Sequence, residues 1–125
     1  MTTIPATANL RPFLPSKNFS VSKAFYEALG FRLAWENEKM AIFEAGDVQF
    51  FVQDYYVEDW ANNCMLNLVV DDVEAWARHI QAVGVLTKFE NVKMTEPMPG
   101  PYGTILSLID PAGVLWRIQQ QSVKA

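Results

Sequence analysis

The chain of 125 residues has one cysteine and one histidine, and this scarcity excludes several kinds of site. Cys64 has no second cysteine with which to form an internal disulfide, and it cannot build a zinc site of several thiolates. It also lacks a neighbouring histidine or lysine that would activate its thiol, so we expect it to be unreactive. A lone thiol fits a reducing compartment and Met1–Asn9 shows no signal-peptide pattern, so we predict a cytoplasmic protein.

Long apolar runs and an excess of positive charge are also missing. No apolar run approaches the roughly 20 residues that a membrane helix needs, so we expect no membrane partner. Ten basic residues against 14 acidic residues give a net charge of −4, whereas nucleic-acid binding needs a basic face. We therefore expect no nucleic-acid partner. Hydrophobic residues, in contrast, make up 50% of the chain, which suits one folded domain.

Acidic residues concentrate in one segment, residues 36–59, which holds seven acids and one lysine. Such a segment is often only a solvated surface. It also provides negative potential that attracts a cationic ligand, and the acids of interest are Asp54, Glu58 and Asp59. Aromatic residues, among them Trp60, alternate with these acids. They are expected either to line a binding site or to pack at a subunit interface, where tyrosine and tryptophan are enriched.

Apolar periodicity predicts the same order of elements twice along the chain. The first copy is a strand, a helix and three strands: Leu10–Pro15, Val21–Leu29, Phe31–Trp35, Met40–Glu44 and Val48–Gln53. The second copy repeats this order: Met65–Val70, a helix over residues 72–83, Val85–Phe89, Thr104–Ile109 and Val114–Gln119. Ser20 is the predicted cap of the first helix, and Asp71 and Asp72 are the candidate caps of the second. Gly30 and Gly84 end the two helices and set a repeat offset of 54 residues.

These elements predict an α+β fold of two tandem βαβββ modules, residues 10–53 and 64–120. We assign them to a single domain over residues 10–122, preceded by a flexible N-terminal arm of residues 1–9. The later turns repeat at a longer offset, so about twelve additional residues fall in the proline-rich stretch Asn91–Gly103. A loop of that length inside a small domain is usually functional.

Several short motifs resemble those of the vicinal oxygen chelate superfamily, which includes glyoxalase I, extradiol dioxygenases, fosfomycin resistance enzymes and bleomycin resistance proteins. The motifs are FYEALGF at Phe25–Phe31, VDDV at Val70–Val73, YG at Tyr102–Gly103 and DPAG at Asp110–Gly113. The resemblance spans Leu10–Gln119 and implies two modules whose curled sheets enclose a cleft. Because these motifs are structural, they specify the fold better than the chemistry.

Catalytic members of that superfamily hold a divalent metal with histidine or glutamate side chains from four strands. The resemblance carries these four positions onto Arg11, Phe51 (or its neighbour Phe50), Met65 and Arg117. Arginine stays protonated in proteins, and phenylalanine has no donor atom for a metal. The resemblance therefore implies no metal and no cofactor. The only histidine, His79, lies among polar neighbours on the second helix, and we interpret it as a surface residue.

Within the superfamily, the chain most resembles bleomycin resistance proteins. LPSKNF at Leu14–Phe19 and the segment Gly103–Ile118 are similar to their motifs. Such proteins are small, acidic, metal-free and dimeric, and they sequester a cationic drug between aromatic side chains. The matching positions here are Trp35 and Tyr102. The resemblance thus implies a homodimer, with exchange of the N-terminal arm as one possibility, and a small-molecule ligand.

Three functions stay open, and we favour the first, which is not enzymatic. The first is a metal-free protein that sequesters an aromatic, cationic ligand in a cleft of the dimer. Its predicted site has aromatic walls, an acidic rim and inward-facing positions: Trp35, Phe51, Trp60, Tyr102, Asp54, Glu58, Asp59, Arg11, Met65 and Arg117. The second is a metal-independent enzyme, and the third is a regulatory binding module without catalysis.

The two arginines also leave the charge of the ligand open. If Arg11 and Arg117 both face the cleft, they form a pair that clamps a carboxylate or phosphate. The alternative is that each arginine pairs with an acid such as Glu44 or Glu36, because an unpaired buried charge is costly.

Overall fold

The structure, a computed structural model of the chain, describes residues 3–121 and contains two β-sheets. The N-terminal sheet contains β1 (Phe13–Pro15), β2 (Arg32–Glu36), β3 (Met40–Ala45) and β4 (Val48–Gln53), in the spatial order β1-β4-β3-β2. The C-terminal sheet contains β5 (Met65–Val70), β6 (Lys93–Met94), β7 (Met98–Gly100), β8 (Gly103–Ile109) and β9 (Leu115–Gln120). Its order is β5-β9-β8-β6, and β7 also pairs with β8. The helices are α1 (Phe19–Leu29), α2 (Glu58–Asn63), α3 (Val73–Val83) and α4 (Val85–Lys88).

The two sheets share one topology. In each sheet the first strand pairs in parallel with the last, β1 with β4 and β5 with β9, and the other pairs are antiparallel. The predicted α+β fold of tandem βαβββ modules is therefore confirmed. Residues 3–9 contain no helix or strand and are exposed. The flexibility of the arm and the domain limits stay predictions, and residues 1, 2 and 122 lie outside the described part of the chain.

Both long helices end where the sequence predicts, because a glycine follows each one. Gly30 and Gly84 have φ angles of 117° and 77°, in the left-handed region that favours glycine. Asp72 caps α3 through its side chain, as predicted. The cap of α1 is Asn18 and not Ser20, so that helix begins two residues earlier than expected. No helix within residues 3–121 is both long and apolar enough to span a membrane.

The predicted strand Val85–Phe89 is wrong, because this segment forms the helical turn α4. The carbonyl of Gly84 accepts from the backbone N–H groups of Thr87 and Lys88, at 3.2 and 3.0 Å. Val85 is fully buried against the core. A short apolar run fits a buried strand and a buried helical turn equally well, so the pattern alone did not separate them.

The predicted long loop Asn91–Gly103 contains strand structure instead. Both β6 and β7 pair antiparallel with β8, with Lys93 opposite Ile109 and Met98 opposite Ile105. Together they form one interrupted edge strand in the position that β2 holds in the first sheet. Residues 3–121 thus contain nine strands where eight were predicted, and the short helix α2 was not predicted either.

One aromatic core serves both sheets. Tyr26 of α1, Phe43 and Phe50 of the N-terminal sheet and Trp116 of β9 are all buried. The ring centroids of Tyr26 and Phe50 are 4.9 Å apart, and those of Phe50 and Trp116 are 5.3 Å apart. The core and the long helices cover one face of each sheet. The other face, which we call the open face, is left uncovered by residues 3–121.

A buried hydrogen-bond network joins the two modules inside this core. The Tyr26 hydroxyl donates to Asp110 Oδ2 at 2.6 Å and accepts from Trp116 Nε1 at 2.9 Å. Asp110 Oδ1 accepts from the backbone N–H groups of Ala112 and Val114 at 2.8 and 2.9 Å. Burial raises the pKa of the Asp110 carboxyl, and the hydrogen bonds from Tyr26 and the turn oppose that rise. The DPAG turn is therefore held to α1 by a fully buried carboxylate.

Replacing Tyr26 by phenylalanine removes the hydroxyl and leaves the carboxylate and the indole N–H each short of one partner. We expect Tyr26→Phe to lower the free energy of unfolding by about 1–3 kcal/mol in urea unfolding at neutral pH. The matched control is Tyr55→Phe, which alters an exposed tyrosine and should change that free energy by less than about 0.5 kcal/mol.

Wild type and Tyr26→Phe also test this network through the pH dependence of their stability. Burial, followed by the charge of Asp110, holds the pKa of Tyr26 well above its ordinary value. The unfolded chain releases this proton near pH 10 and the folded chain does not, so the stabilisation by Tyr26 is lost as the pH rises above about 10. The stability difference between wild type and Tyr26→Phe should narrow there. A difference that stays constant into that range would contradict the buried, protonated hydroxyl.

Candidate functional site

A row of apolar side chains crosses the open face of the N-terminal sheet. The strand register aligns Trp35, Ile42, Phe51 and Phe13, in that order, on β2, β3, β4 and β1. The rings of Phe13 and Phe51 stack, with centroids 4.3 Å apart and planes 3° apart. Trp35 and Phe13 are each 45% exposed, whereas Phe50, the alternative to Phe51, is buried in the core. We call these four side chains the aromatic row, and they offer flat surface to a ligand.

A β-bulge in β2 brings Trp35 onto this face. Leu33 pairs with Phe43 and faces the core, and strict alternation would return Trp35 to the core side as well. The register instead shifts after Leu33, so that Ala34 and Trp35 together oppose Ile42. The one additional residue therefore decides which face carries the indole ring.

A polar row lies beside the aromatic row on the same face. Arg32 forms an ion pair with Glu44, whose other oxygen accepts from Gln49 Nε2 at 3.3 Å. Arg11 Nε donates to Gln49 Oε1 at 2.7 Å. Glu36 is paired with a lysine of α1 at 2.9 Å. The expectation that Arg11 pairs with Glu44 or Glu36 is therefore wrong, because it bonds a neutral amide.

The candidate rim acids lie where β4 ends and α2 begins. The Asp54 N–H donates to the Lys39 carbonyl at 2.8 Å, and the Asp54 carboxylate lies 3.5 Å from Lys39 Nζ. That ion pair is exposed and contributes little to stability. Glu58 and Asp59 stand in the first turn of α2, where the backbone N–H groups favour negative charge. This end of the N-terminal sheet is therefore acidic, beside the strand end that carries Trp35.

Polar side chains occupy the middle of the open face of the C-terminal sheet. The register aligns Asn67, Arg117 and Ser107 on β5, β9 and β8. Asn67 Nδ2 donates to the Arg117 carbonyl at 3.3 Å. Met65, 59% exposed, lies at the start of β5 opposite Leu115. This face is therefore polar at its centre and apolar at its edge, unlike the face of the other sheet.

A hollow of about 460 Å³ opens beside Arg117, and we call it the Arg117 hollow. Its lining includes Thr95, Ser107 and Tyr102, and Tyr102 is 79% exposed on the turn between β7 and β8. Gln119 Nε2 donates to the Tyr102 carbonyl at 2.6 Å and fastens that turn to β9. Two other hollows have volumes of about 480 and 380 Å³. The first is lined by Phe50, the alternative to Phe51, and neither is lined by another site residue that the sequence predicts.

The four positions that correspond to metal ligands lie on or beside the open faces. Arg11 and Phe51 belong to the N-terminal sheet side, and Met65 and Arg117 to the C-terminal sheet. None of the four side chains is a usual ligand of a divalent transition metal. Within residues 3–121, no three His, Cys, Asp or Glu side chains are grouped closely enough to hold a metal ion.

One chain alone does not bring the four predicted aromatic walls together. Trp35 and Phe51 share the aromatic row, Tyr102 borders the Arg117 hollow, and Trp60 packs beside Tyr55 with centroids 6.0 Å apart. Sequence reasoning missed Phe13. Strand alternation puts Phe13 on the same face as Arg11, two positions earlier, so the sequence did contain a signal for it.

The lone histidine and the lone cysteine have structural settings. His79 Nε2 lies 2.6 Å from the Leu29 carbonyl, and because a carbonyl only accepts, this nitrogen carries the hydrogen. The side chain ties α3 to the end of α1. Burial, followed by the charge of Asp110, raises the pKa of the half-buried Cys64 thiol, which keeps the thiolate scarce.

Two βαβββ units with this strand order define the class of the glyoxalase and bleomycin resistance proteins. No protein-family model matches the chain. A bleomycin resistance protein from Klebsiella pneumoniae is 30% identical over 125 residues, which cover 95% of this chain and 97% of that protein. The chain belongs to the bleomycin resistance protein family, and the predicted resemblance is confirmed.

Solved structures agree with this assignment. A bleomycin-binding protein complexed with bleomycin superposes with a TM-score of 0.78 at 28% identity, over 93% of this chain and 100% of that one. The bleomycin resistance determinant encoded on the transposon Tn5 gives 0.80 at 28% identity, over 94% and 100%. A lactoylglutathione lyase from Agrobacterium tumefaciens gives 0.70 at 15% identity, over 94% and 96%, and shows the fold alone.

The turn that carries Tyr102 depends on Gly103. This glycine has a φ angle of 116°, and a Cβ there would lie 2.1 Å from the carbonyl oxygen of Gln120. We expect Gly103→Ala to lower the free energy of unfolding by about 1–3 kcal/mol or more, measured by thermal or urea unfolding. The control is Gly46→Ala, where φ is 57° and nothing lies within 4 Å of the added Cβ. Equal losses of unfolding free energy in the two variants would mean that close packing at residue 103 contributes nothing to stability.

Proposed function

We propose that this protein binds and sequesters a flat aromatic, cationic molecule of the bleomycin class without changing it chemically. The observation that carries the proposal is the aromatic row on an open face, where a bulge places Trp35, in a chain of the bleomycin resistance protein family. A solved relative of the same fold, 28% identical, is a bleomycin-binding protein complexed with bleomycin.

The aromatic row is suited to stacking. The rings of Phe13 and Phe51 already stack on each other with parallel planes, and Trp35 lies two strands away from Phe51 at the same level of the sheet. A cation above such rings gains roughly 0.5–2 kcal/mol per contact. A stiff strand also holds these side chains in place before the ligand arrives, which reduces the entropy lost on binding.

The local charge supports a cationic ligand at this face. Asp54, Glu58 and Asp59 lie at the end of the N-terminal sheet near the end of β2 that carries Trp35. Exposed acids of this kind raise the rate at which a cation reaches its site. Their contribution is expected mainly in the association rate and its dependence on salt.

The site as proposed is completed by a second copy of the chain. Exposed large apolar side chains cluster on both open faces: Phe13, Trp35, Met65, Val69, Met98 and Tyr102. Soluble monomers rarely leave so much apolar surface uncovered on one side. A two-fold dimer that sets the N-terminal sheet of one subunit against the C-terminal sheet of the other forms two clefts. Each cleft then has the aromatic row on one wall and Tyr102 on the other.

The N-terminal arm is proposed to exchange between the subunits. Ile4 and Leu10 are 74% and 87% exposed, so their own chain does not cover these apolar side chains. Covering them on a second subunit removes that surface from water, at roughly 25 cal/mol per Å². We also propose a cytoplasmic location, where a free thiol such as Cys64 persists.

Sequestration is proposed over catalysis because the positions used for chemistry elsewhere in the superfamily carry no reactive group here. Arg11 is bonded to a neutral amide, Phe51 is part of the aromatic row, and Met65 is an exposed thioether. No specific arrangement within residues 3–121 favours the enzymatic or regulatory alternatives.

Titration calorimetry with bleomycin tests the proposed ligand and its place. We expect wild type to bind, and Trp35→Ala to weaken the affinity about tenfold or more, which corresponds to the loss of an interface hot spot. The matched control is Trp76→Ala, which truncates a tryptophan on α3, on the side away from the open faces. The affinity of Trp76→Ala for bleomycin should stay within about twofold of wild type, and thermal unfolding checks that this variant is folded.

Three outcomes would contradict the proposal. Absence of binding to the wild-type protein would reject the bleomycin class. Tight binding that survives Trp35→Ala would mean that the aromatic row is not the binding surface. An equal loss in the Trp35 and Trp76 variants would show that the loss arises from folding and not from stacking.

Light scattering tests the dimer. We expect a particle of twice the 14.2 kDa chain at micromolar concentration. Val69→Lys places a charge on the open face of β5, where this side chain is 50% exposed, and should give the monomer mass. Val57→Lys, at a residue 41% exposed beside α2, should leave the dimer intact. Dissociation by the Val57 variant alone would move the interface to the α2 segment.

A further inference from the structure

We propose that the Arg117 hollow binds a carboxylate carried by an aromatic ring, so that the ligand has an anionic end as well as a cationic one. The inference rests on the proposed function, because it assigns a ligand group to the second wall of the same cleft. It is drawn from the absence of any acid around Arg117, the hydroxyl groups beside it and the fixed turn above it.

Arg117 has no carboxylate partner among residues 3–121. The ion pairs within that part of the chain join Lys23 to Glu36, Arg32 to Glu44 and Lys39 to Asp54. The lining of the Arg117 hollow contains no acid at all. In a chain of net charge −4, this hollow is thus a small positive site, and the arginine fork is shaped to bind a carboxylate with two parallel hydrogen bonds.

The other polar side chains of the hollow include the hydroxyls of Thr95 and Ser107, which can donate to a ligand. Ser107 and Thr95 face each other, because Thr95 N–H donates to the Ser107 carbonyl and Ser107 N–H donates to Thr95 Oγ1, both at 2.9 Å. The hydroxyl hydrogen of Thr95 is left for a ligand, since Oγ1 is used only as an acceptor there. The Tyr102 carbonyl, an acceptor beside the hollow, already accepts from Gln119. A group that only accepts hydrogen bonds, such as a carboxylate, therefore fits this lining.

An aromatic ring is placed next to this donor set. Tyr102 borders the same hollow as Arg117, and its turn is fixed by Gln119 and by the close packing of Gly103 on β9. Gln119 is itself held, because its Oε1 accepts from Asn67 Nδ2 at 3.1 Å. Gln119 is therefore a positioning residue for Tyr102. A ring that stacks on Tyr102 and bears a carboxylate at its edge would present that group to the guanidinium.

The two walls of the proposed cleft differ in charge, which argues for a ligand of mixed charge. Asp54, Glu58 and Asp59 lie at the end of the first wall, where Lys39 pairs with Asp54, while the Arg117 hollow holds one arginine and no acid. A purely cationic ligand would gain from the first wall and be repelled by the second. A zwitterionic aromatic ligand matches both.

The test compares the binding of naphthalene-2-carboxylate and naphthalene-2-carboxamide by calorimetry. These probes share one ring and differ in charge. We expect wild type to bind the carboxylate at least about tenfold more tightly than the amide. Arg117→Gln should remove that preference and leave amide binding unchanged, and Arg117→Lys should restore part of it. The control Arg78→Gln, which alters an exposed arginine of α3, should keep the full preference. Gln119→Ala should weaken both probes, because Tyr102 loses its support.

Several results would overturn this assignment. The first is equal affinity of the wild-type protein for both probes, and the second is a preference that survives Arg117→Gln. The third is conversion of the dimer to a monomer by Arg117→Gln in light scattering, which would show that an acid of the second copy occupies the arginine. Bleomycin titrations on the same samples separate the two proposals. If bleomycin binds and the binding depends on Trp35, but the carboxylate is not preferred, only the carboxylate site in the Arg117 hollow is rejected. If the carboxylate is preferred but bleomycin does not bind, only the bleomycin class is rejected.

Discussion

The hydroxyl of Tyr26 is the point at which the two halves of this protein meet. It lies in α1 of the first module and bonds a carboxylate and an indole of the second, with all three groups buried. A buried carboxylate is costly unless its oxygens are paired, and Asp110 has Tyr26 on one oxygen and two backbone N–H groups on the other. The network thus fixes how the sheets sit relative to each other, because each partner supplies a hydrogen bond to a buried polar group that would otherwise have none.

The position of this core explains why the open faces exist. Both sheets turn one side toward the same aromatic cluster, so their other sides have nothing from residues 3–121 to pack against. Each open face then carries a different chemistry: stacked rings and a bulge-placed tryptophan on one, an arginine with hydroxyl neighbours on the other. The ligand site proposed above uses surfaces that the core leaves free, and the strands of those surfaces hold the side chains in place.

The fold was accessible from the sequence because its signals are local and repeated. The glycines after both helices and the apolar periodicity revealed the internal repeat. Short motifs such as DPAG identified the class of protein. The errors fell where local signals are ambiguous: Val85–Phe89 is apolar enough for a strand or a helical turn, and the edge strand within Asn91–Gly103 is broken by prolines. The facing of Trp35 depends on a bulge, which no periodic pattern reveals. The amide that holds Arg11 was also beyond the sequence, because the partner lies 38 residues away.

The separation along the chain of the groups in the Tyr26 network has a consequence for biosynthesis. Tyr26 finds its partners 84 and 90 residues further on, and within residues 3–121 β5 pairs only with β9, the last strand of that part of the chain. Contacts between such distant residues form late and slow the search for the native state. The N-terminal module leaves the ribosome first, and at that stage the hydroxyl of Tyr26 has no hydrogen-bond partner because Asp110 and Trp116 have not yet been synthesised. The repeated halves are therefore not two small proteins joined by a linker, and the nascent chain completes this core only after β9 has emerged.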